Sequence, residues 1–299
     1  MCVNILVLMS TYNGEKYITE QLKSIFKQNN VKVDVILRDD GSTDNTVLLV
    51  KKLFPEVKII QGANLGYRKS FMHLLLESGS YDYYAFADQD DVWMPQKLAV
   101  ATSKLKSISD IPAFYCSNLQ VVDEKLNFLS MLHGNKEKIT MTEGKALIEN
   151  ISYGCTLVFN KKLKNIAVAK IPDYISHDGW INLIGLFFGI GIYDNESYIY
   201  YRQHGNNLIG GNRSFIAVWK KRLKSISRLG EHHRDVEATE FLETFGYLMS
   251  DQQRKKVEKV AFYRNSLFNK FRLFFDRDIR MSTLDRDFWY RMRIIFSSI

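Results

Sequence analysis

Carboxylates two apart in an extended turn can face one hard cation, and Asp88-Gln89-Asp90-Asp91 supplies that spacing. Mg²⁺ or Mn²⁺ typically joins one or two such oxygens to the phosphates of a substrate, which makes a nucleotide diphosphate the natural guest. The residues before the turn, Tyr83–Ala87, form an apolar strand-like run. The carboxylates therefore fall at the carboxyl end of a strand, where open α/β sheets bind ligands. Alone, an Asp-x-Asp reads more readily as a solvated turn with Asp91 capping a helix that begins near Pro95. Its neighbours favour the site. The first strand ends in Ser10-Thr11-Tyr12-Asn13-Gly14, the second in Arg38-Asp39-Asp40-Gly41-Ser42-Thr43-Asp44, and Asn64-Leu65-Gly66 follows the third. Polar groups and glycines at successive strand ends form a crevice for a base and ribose. Asp40 or Asp39 would face a base imide or a ribose hydroxyl there, while Ser42 or Thr43 would cap the next helix.

Four strand-then-helix pairs must position these turns: Val3–Met9 with Glu15–Gln28, Val33–Leu37 with Thr43–Leu53, Val57–Ile60 with Tyr67–Ser78, and Tyr83–Ala87 with Pro95–Ile108. Such alternation predicts βαβ units, right-handed crossovers and a mainly parallel sheet flanked by helices. Residues 111–211 alternate less regularly, with strand-like Ala113–Ser117, Cys155–Phe159 and Tyr198–Tyr201 and a short helix near Thr142–Asn150, and read as an acceptor-side half completing the sheet. Beyond Gly210-Gly211 the apolar residues Phe215, Val218, Leu223, Phe241, Phe245, Leu248, Val257, Phe262, Leu267 and Phe271 recur at helical spacings. The expected organisation is a catalytic domain over 1–211, with its nucleotide-binding half at 1–110, and a basic helical region over 212–299.

Composition narrows the function classes. The chain of 299 residues is 46% hydrophobic and 13% aromatic, enough for a sizeable core. Its three cysteines are too few and too scattered for a disulfide framework, and no His/Cys spacing resembles a zinc site, so a cytoplasmic setting is expected. The longest apolar run, Ile181–Ile192, is far short of the ~20 residues that span a bilayer. The net charge is +8, yet residues 1–212 hold 22 basic and 22 acidic residues, leaving 19 against 11 in the remainder. A nucleic-acid-binding protein is the reading this basicity suggests, but the charge is absent from the motif-bearing region. A nucleotidyltransferase would want a glycine-rich phosphate loop with a following lysine, which the early chain lacks.

The order of these motifs resembles the nucleotide-sugar-binding half of family 2 inverting glycosyltransferases of the GT-A (Rossmann-like) fold. Two later stretches, His177-Asp178-Gly179-Trp180 and Tyr201-Arg202-Gln203-His204-Gly205-Asn206-Asn207, are similar to the bacterial rhamnosyltransferase-like branch. The matching motifs span residues 3 to 207. The resemblance implies a nucleotide-diphosphate sugar donor, with dTDP-rhamnose leading and a UDP-sugar as the alternative, and a glycan or lipid-linked glycan acceptor. It implies that Asp90 coordinates Mn²⁺ or Mg²⁺, that Asp88 meets the ribose or a second metal position, and that His204 is a further ligand. On the donor side it places Thr11, Tyr12, Asn13, Asp39, Asp40, Asn64, Gly66, Arg68 and Asp88, with Arg202 available to phosphate as a planar donor. Asp178 is the expected general base, because a single displacement with inversion needs one carboxylate on the acceptor face. An N-cap role for Asp178 is the competing reading. His177, Trp180 and Gly154 fall on the acceptor side, with Trp180 expected to stack on a sugar ring, Trp93 to pack beneath the acidic turn, and Cys155 to be a small buried strand residue.

In the C-terminal region, Lys220, Lys221, Arg222, Lys224 and Arg228 lie among Phe215, Trp219, Leu223 and Ile226. That is the composition of a helix on an anionic membrane surface, or equally of one packed on the catalytic domain with its basic side in solvent. The first reading places the protein on the inner face of the cytoplasmic membrane. A tail of this length could also mediate self-association, and a catalytically inert sugar-nucleotide sensor would carry a crevice of the same kind.

Overall fold

The computed structural model describes residues 3–134, 139–203 and 234–297, which form two compact units. The first contains a nine-stranded mixed sheet. Its strands are β1 (Val3–Thr11), β2 (Val31–Asp39), β3 (Lys58–Gln61), β4 (Tyr83–Ala87), β5 (Val92–Trp93), β6 (Ala113–Val122), β7 (Phe128–Met131), β8 (Val158–Asn160) and β9 (Ile190–Arg202). Helices α1 (Ile18–Phe26), α2 (Thr46–Leu53), α3 (Gly66–Leu76), α4 (Lys97–Lys106), α6 (Lys161–Ala167) and α7 (His177–Phe188) belong to this unit, while α5 (Glu143–Ala146) belongs to the second.

The sheet order is β3-β2-β1-β4-β8-β6-β9-β5, with β7 paired to β6. The first four strands run parallel and β8 joins β4 antiparallel. Chain order reverses direction between β1 and β4, so a crevice opens beyond their carboxyl ends. The turns at Thr11–Gly14 and Asp88–Asp91 occupy that position. Apolar side chains on both faces of β1 and β4 account for the placement: Ile5, Val7, Leu8, Met9 and Tyr84–Ala87 are wholly buried, as strands covered on both sides must be. Elements of the first half follow the expected ones to within a few residues; beyond it, the strand expected at Tyr198–Tyr201 begins at Ile190, that at Ala113–Ser117 runs on to Val122, and the start of the run at Cys155 is a single 3₁₀ turn, Gly154–Thr156.

Among the described residues, the second unit comprises 140–151, 172–175 and 234–297. The catalytic region expected as a continuous 1–211 thus gives up two short segments. Residues of these segments bond inside the second unit: Glu143 pairs with Lys256, Glu149 with Arg286, and the Glu240 carboxylate accepts the backbone N–H groups of Asp173 and Tyr174. Among the described residues the α-helices that follow are α8 (Arg234–Phe245), α9 (Asp251–Ala261), α10 (Leu267–Phe274) and α11 (Leu284–Ile295). Of the apolar positions marked from periodicity, Phe241, Phe245 and Val257 are buried, whereas Leu248, Phe262, Leu267 and Phe271 are exposed. The stretch Phe215–Arg228 and His204 lie outside the described residues.

Candidate active site

Backbone hydrogen bonds fasten the acidic turn to the sheet on two sides. It leaves the buried β4 and enters β5, which pairs with β9 through Val92↔Tyr200 and Trp93↔Ile199. Arg202, at the end of β9, closes the join. Its guanidinium donates to the Asp90 carbonyl (3.0 Å) and to the Glu124 carbonyl, pairs with Glu20, and lies 4.7 Å from the Tyr17 ring centroid. Its backbone N–H donates to Asp91 Oδ1 (3.2 Å). A side chain only 2% exposed and so fully engaged holds the turn from beneath, which corrects the expectation that Arg202 meets phosphate. Asp91 caps no helix; the residue before α4 is Gln96.

Gln89 locks the turn to the end of β1. Its Oε1 accepts the Thr11 hydroxyl (2.6 Å) and the Tyr12 N–H (3.0 Å), and its Nε2 donates to the Tyr12 carbonyl (3.2 Å). A Cβ at Gly14 would sit 2.4 Å from that Oε1, which explains the glycine. Asn13, at φ 50°, accepts the Thr43 N–H through its side chain and donates its own N–H to Ser42 Oγ. Asp39 folds back on its own turn, taking the N–H groups of Gly41 and Ser42 and the Ser42 hydroxyl, while Asp40 pairs with buried Arg38. Gly41 at φ +83° permits this turn. Ser42 and Thr43 do not cap α2, which begins after Asn45 without a side-chain cap. On the donor side, then, Tyr12, Asn13, Asn64 and Gly66 are exposed, and Asp39 and Asp40 shape the crevice through carboxylates already committed to neighbours.

Asn64 Oδ1 accepts the Gly66 N–H (2.9 Å), and Gly66 at φ +74° starts α3. The half-buried Arg68 lies against Tyr67, its Nε donating to that phenol oxygen (3.2 Å). From the same helix, Phe71 stacks on the His177 imidazole at 4.1 Å, and Phe86 meets it edge-on at 4.8 Å. Burial pushes His177 down to about 4, so the ring is neutral; Asp178 opposes that effect and Arg68 reinforces it. A Cβ on Gly154 would lie 2.7 Å from His177 Nε2, so Gly154 is the space in which this ring sits. His177 is a packed positioning group, only 5% exposed.

Asp178 is the second residue of α7. The helix cap is Ser176, whose hydroxyl accepts the Gly179 N–H (3.3 Å), and Asp178 Oδ1 also takes that N–H (2.8 Å). With the cap supplied elsewhere, the Asp178 carboxylate remains half-buried beside the acidic turn. Trp180, by contrast, is 0% exposed and donates its indole N–H to the Ala167 carbonyl (3.0 Å), so it holds α7 to α6 and cannot stack on an acceptor. The apolar stripe of α7 claims it.

The electrostatics of the site is an excess of negative charge. Asp88 is pushed up to about 7, first by burial and then by the charges of Asp90 and Asp178. Asp91 is driven well above the usual carboxylate range by burial, and its Oδ2 is a buried atom without a hydrogen bond. Lys97 carries no sequence motif of its own: its ammonium donates to the Cys155 carbonyl (2.6 Å), lies 3.3 Å from the Trp93 ring centroid, and is pushed down to about 7 by burial. Trp93 therefore packs beneath the turn as expected, and Cys155 is a buried, protonated thiol. Oxygen atoms of Asp88 and Asp91 and the Cys155 sulfur lie within 4.8 Å of one another. Clustered carboxylates with one orphaned oxygen and raised proton affinities fit a hard divalent cation, which would neutralise them. Trp93 ends β5 and Lys97 opens α4, so no helical register joins the two and no sequence signal points to Lys97.

A family model, "Glycosyl transferase family 2", matches residues 6–166, which contain every element of this crevice up to α6. The chain belongs to that family. This glycosyltransferase is 30% identical over 239 residues to the dTDP-rhamnosyl transferase RfbG of Shigella flexneri, covering 71% of this chain and 77% of the relative. It is 26% identical over 161 residues to the Escherichia coli UDP-Glc:alpha-D-GlcNAc-diphosphoundecaprenol beta-1,3-glucosyltransferase WfgD, covering 53% and 61% of the two. Among solved structures, S. aureus TarS 1–349 superposes with a TM-score of 0.58 at 18% identity, covering 99% of this chain and 81% of that one. The same protein in complex with UDP-GlcNAc gives 0.56 at 17% identity, with coverage of 92% and 77%. These likenesses show the GT-A-type fold, a mixed sheet with flanking helices and a C-terminal helical region. No described helix is long and apolar enough to cross a membrane.

Proposed function

We propose that this glycosyltransferase moves a sugar with inversion from a nucleotide diphosphate, with dTDP-rhamnose as the leading donor, to a hydroxyl of a surface polysaccharide or its lipid-linked precursor. The observation that carries the reading is the meeting of Asp178 with the acidic turn beyond β1 and β4, where the Asp178 charge reaches Asp88. The RfbG relative supports the rhamnosyl donor. A UDP-sugar is the second reading, favoured by the relative named for UDP-Glc.

Each residue has a definable task. Tyr12, Asn13 and the Asp39–Ser42 turn line the nucleoside end of the crevice, and Arg68 borders the route toward Asp178. The Asp178 carboxylate takes the acceptor hydroxyl proton while that oxygen attacks the anomeric carbon and the bond to the diphosphate breaks on the opposite face. Neutral His177 holds Asp178 in place through the Phe71 stack. Asp88 and Asp90 would hold Mn²⁺ or Mg²⁺, with His204 as the further ligand proposed from the family pattern. A cation bound there supplies charge stabilisation to the departing diphosphate.

The decisive experiment measures transfer and donor binding with dTDP-rhamnose and UDP-glucose, with and without Mn²⁺, for the parent, Asp178→Asn and Asp90→Ala. Asp178→Asn should bind donor and transfer nothing, and Asp90→Ala should lose the metal-dependent part of binding. Transfer by Asp178→Asn at more than about a tenth of the parent rate removes Asp178 as the base.

A further inference from the structure

Helix α10 carries its apolar stripe on the wrong side for a packed helix. Leu267, Phe268, Phe271 and Phe275 lie on one face by helical register, and they are 74%, 69%, 62% and 65% exposed; Leu273, on the opposite side, is wholly buried. Phe271 and Phe275 stack on each other at 6.1 Å and 7°, and Arg272 sits 5.8 Å from the Phe268 ring centroid. At about 150–250 Å² for a fully exposed aromatic side chain, the three phenylalanines and Leu267, each exposed by about two-thirds, present roughly 500 Å² of apolar surface, the size of the largest patch on a whole monomer and often functional.

Basic residues predominate along α10, with Arg264 spent on Asp235 (3.0 Å) and Asp276 on Lys259. Between Phe262 and Phe275 there are Arg264, Lys270 and Arg272 and no acidic residue. Arg272 also lines a cleft between α9 and α10 with Lys255, Lys259 and Glu258. Lys259 is paired with Asp276 (2.5 Å), while Lys255 and Arg272 are exposed at the rim.

We infer that the outer face of α10 docks on an anionic lipid bilayer, its phenylalanines seated at the acyl boundary and Lys270 and Arg272 at the headgroup phosphates. Apolar anchors ringed by cations are the chemistry of an interfacial helix. A second copy of the chain fits less well. An isologous contact would set the same cations against themselves, and the patch is smaller than the ~800 Å² per partner of a stable interface. This surface differs from the Phe215–Arg228 stretch marked from sequence, and it stands whether or not the rhamnosyl donor is correct.

The test sediments the full-length protein with vesicles of phosphatidylcholine alone and with about 30% phosphatidylglycerol, where basic residues add attraction. The parent should bind the anionic vesicles and release in high salt. Phe268→Ser/Phe271→Ser should bind at least tenfold more weakly, with an unchanged melting temperature and unchanged nucleotide binding. Lys270→Gln/Arg272→Gln should lose the preference for anionic lipid. No binding by the parent, or equal binding by the serine variant, overturns the proposal. So does a melting temperature lowered by several degrees in the serine variant, which would mean that the chain itself covers the face, or a dimer that the serine variant converts to monomer.

Discussion

Replacing Arg202 by methionine separates two roles for this side chain. The variant keeps the length of the side chain and removes the hydrogen bonds to the Asp90 and Glu124 carbonyls, the pair with Glu20 and the charge beside Tyr17. Glu20 is half-exposed, so water replaces most of that pair, and its loss adds about 0–1 kcal/mol. The two carbonyls lie in the buried join and lose donors that carry charge, at about 1–3 kcal/mol each. The sum is about 2–7 kcal/mol, or roughly 3–11 °C in melting temperature at about 2.1 cal/mol/K of unfolding entropy per residue. The assay is thermal unfolding of metal-free, nucleotide-free protein, followed by titration with a nucleotide diphosphate. A melting temperature within about 1 °C of the parent together with a more than tenfold loss of nucleotide affinity would refute the reasoning. Arg202 would then be a phosphate ligand after all.

Gly154→Ala places a methyl 2.7 Å from His177 Nε2, so the ring and the adjoining Asp178 must shift; transfer should fall at least tenfold while nucleotide affinity, measured by calorimetry, holds. Gly14→Ala puts its methyl 2.4 Å from Gln89 Oε1 and should weaken both donor binding and metal binding, read in the same titration. For metal-free protein the pH dependence of melting has two limbs. Asp88 goes from 3.8 unfolded to about 7 folded, so its contribution is lost as pH rises from about 4 to 7; Lys97 goes from 10.5 to about 7, so its contribution is lost as pH falls from about 10.5 to 7. His177, pushed from 6.5 to about 4, loses its contribution as pH falls through that range and so opposes the Asp88 limb. Each limb is therefore read as a difference from the parent: Asp88→Asn should gain relative stability as pH rises from about 4 to 7, and Lys97→Met should erase the rise between about 7 and 10.5. A parent-minus-variant difference flat across either window contradicts that assignment.

The strand ends are legible in the sequence because each is marked twice, by an apolar run that must be buried and by the polar turn that follows it. Tyr83–Ala87 and the turn after it show this most clearly: the strand runs where its five apolar residues run. What periodicity does not show is the direction in which a polar side chain spends its hydrogen bonds. Arg202 and Asp39 have the chemistry of ligand contacts, yet both satisfy backbone groups: Asp39 those of its own turn, and Arg202 those of a turn 112 residues away, a partner set by tertiary register. Trp180 misleads for a related reason: an aromatic residue beside a catalytic motif has the same sequence signature whether it faces the crevice or the helix behind it. Lys97 escapes notice because a buried lysine is rare, and only the carboxylates and the ring around it make sense of one. In α10 the helical spacing of the apolar residues is plain, whereas the direction of the face they form is decided by what packs on the other side.

The antiparallel pairing of β8 on β4 bears on how the chain can be made. Until Val158–Asn160 has left the ribosome, β4 is an uncovered edge five residues long without a single charge, the kind of edge that recruits other strands. The parallel half of the sheet, although contiguous in sequence, is thus not a safe resting place during synthesis. A product truncated near residue 110 should collect in inclusion bodies, as should one ending just past α6, which leaves the uncharged β6 without β9.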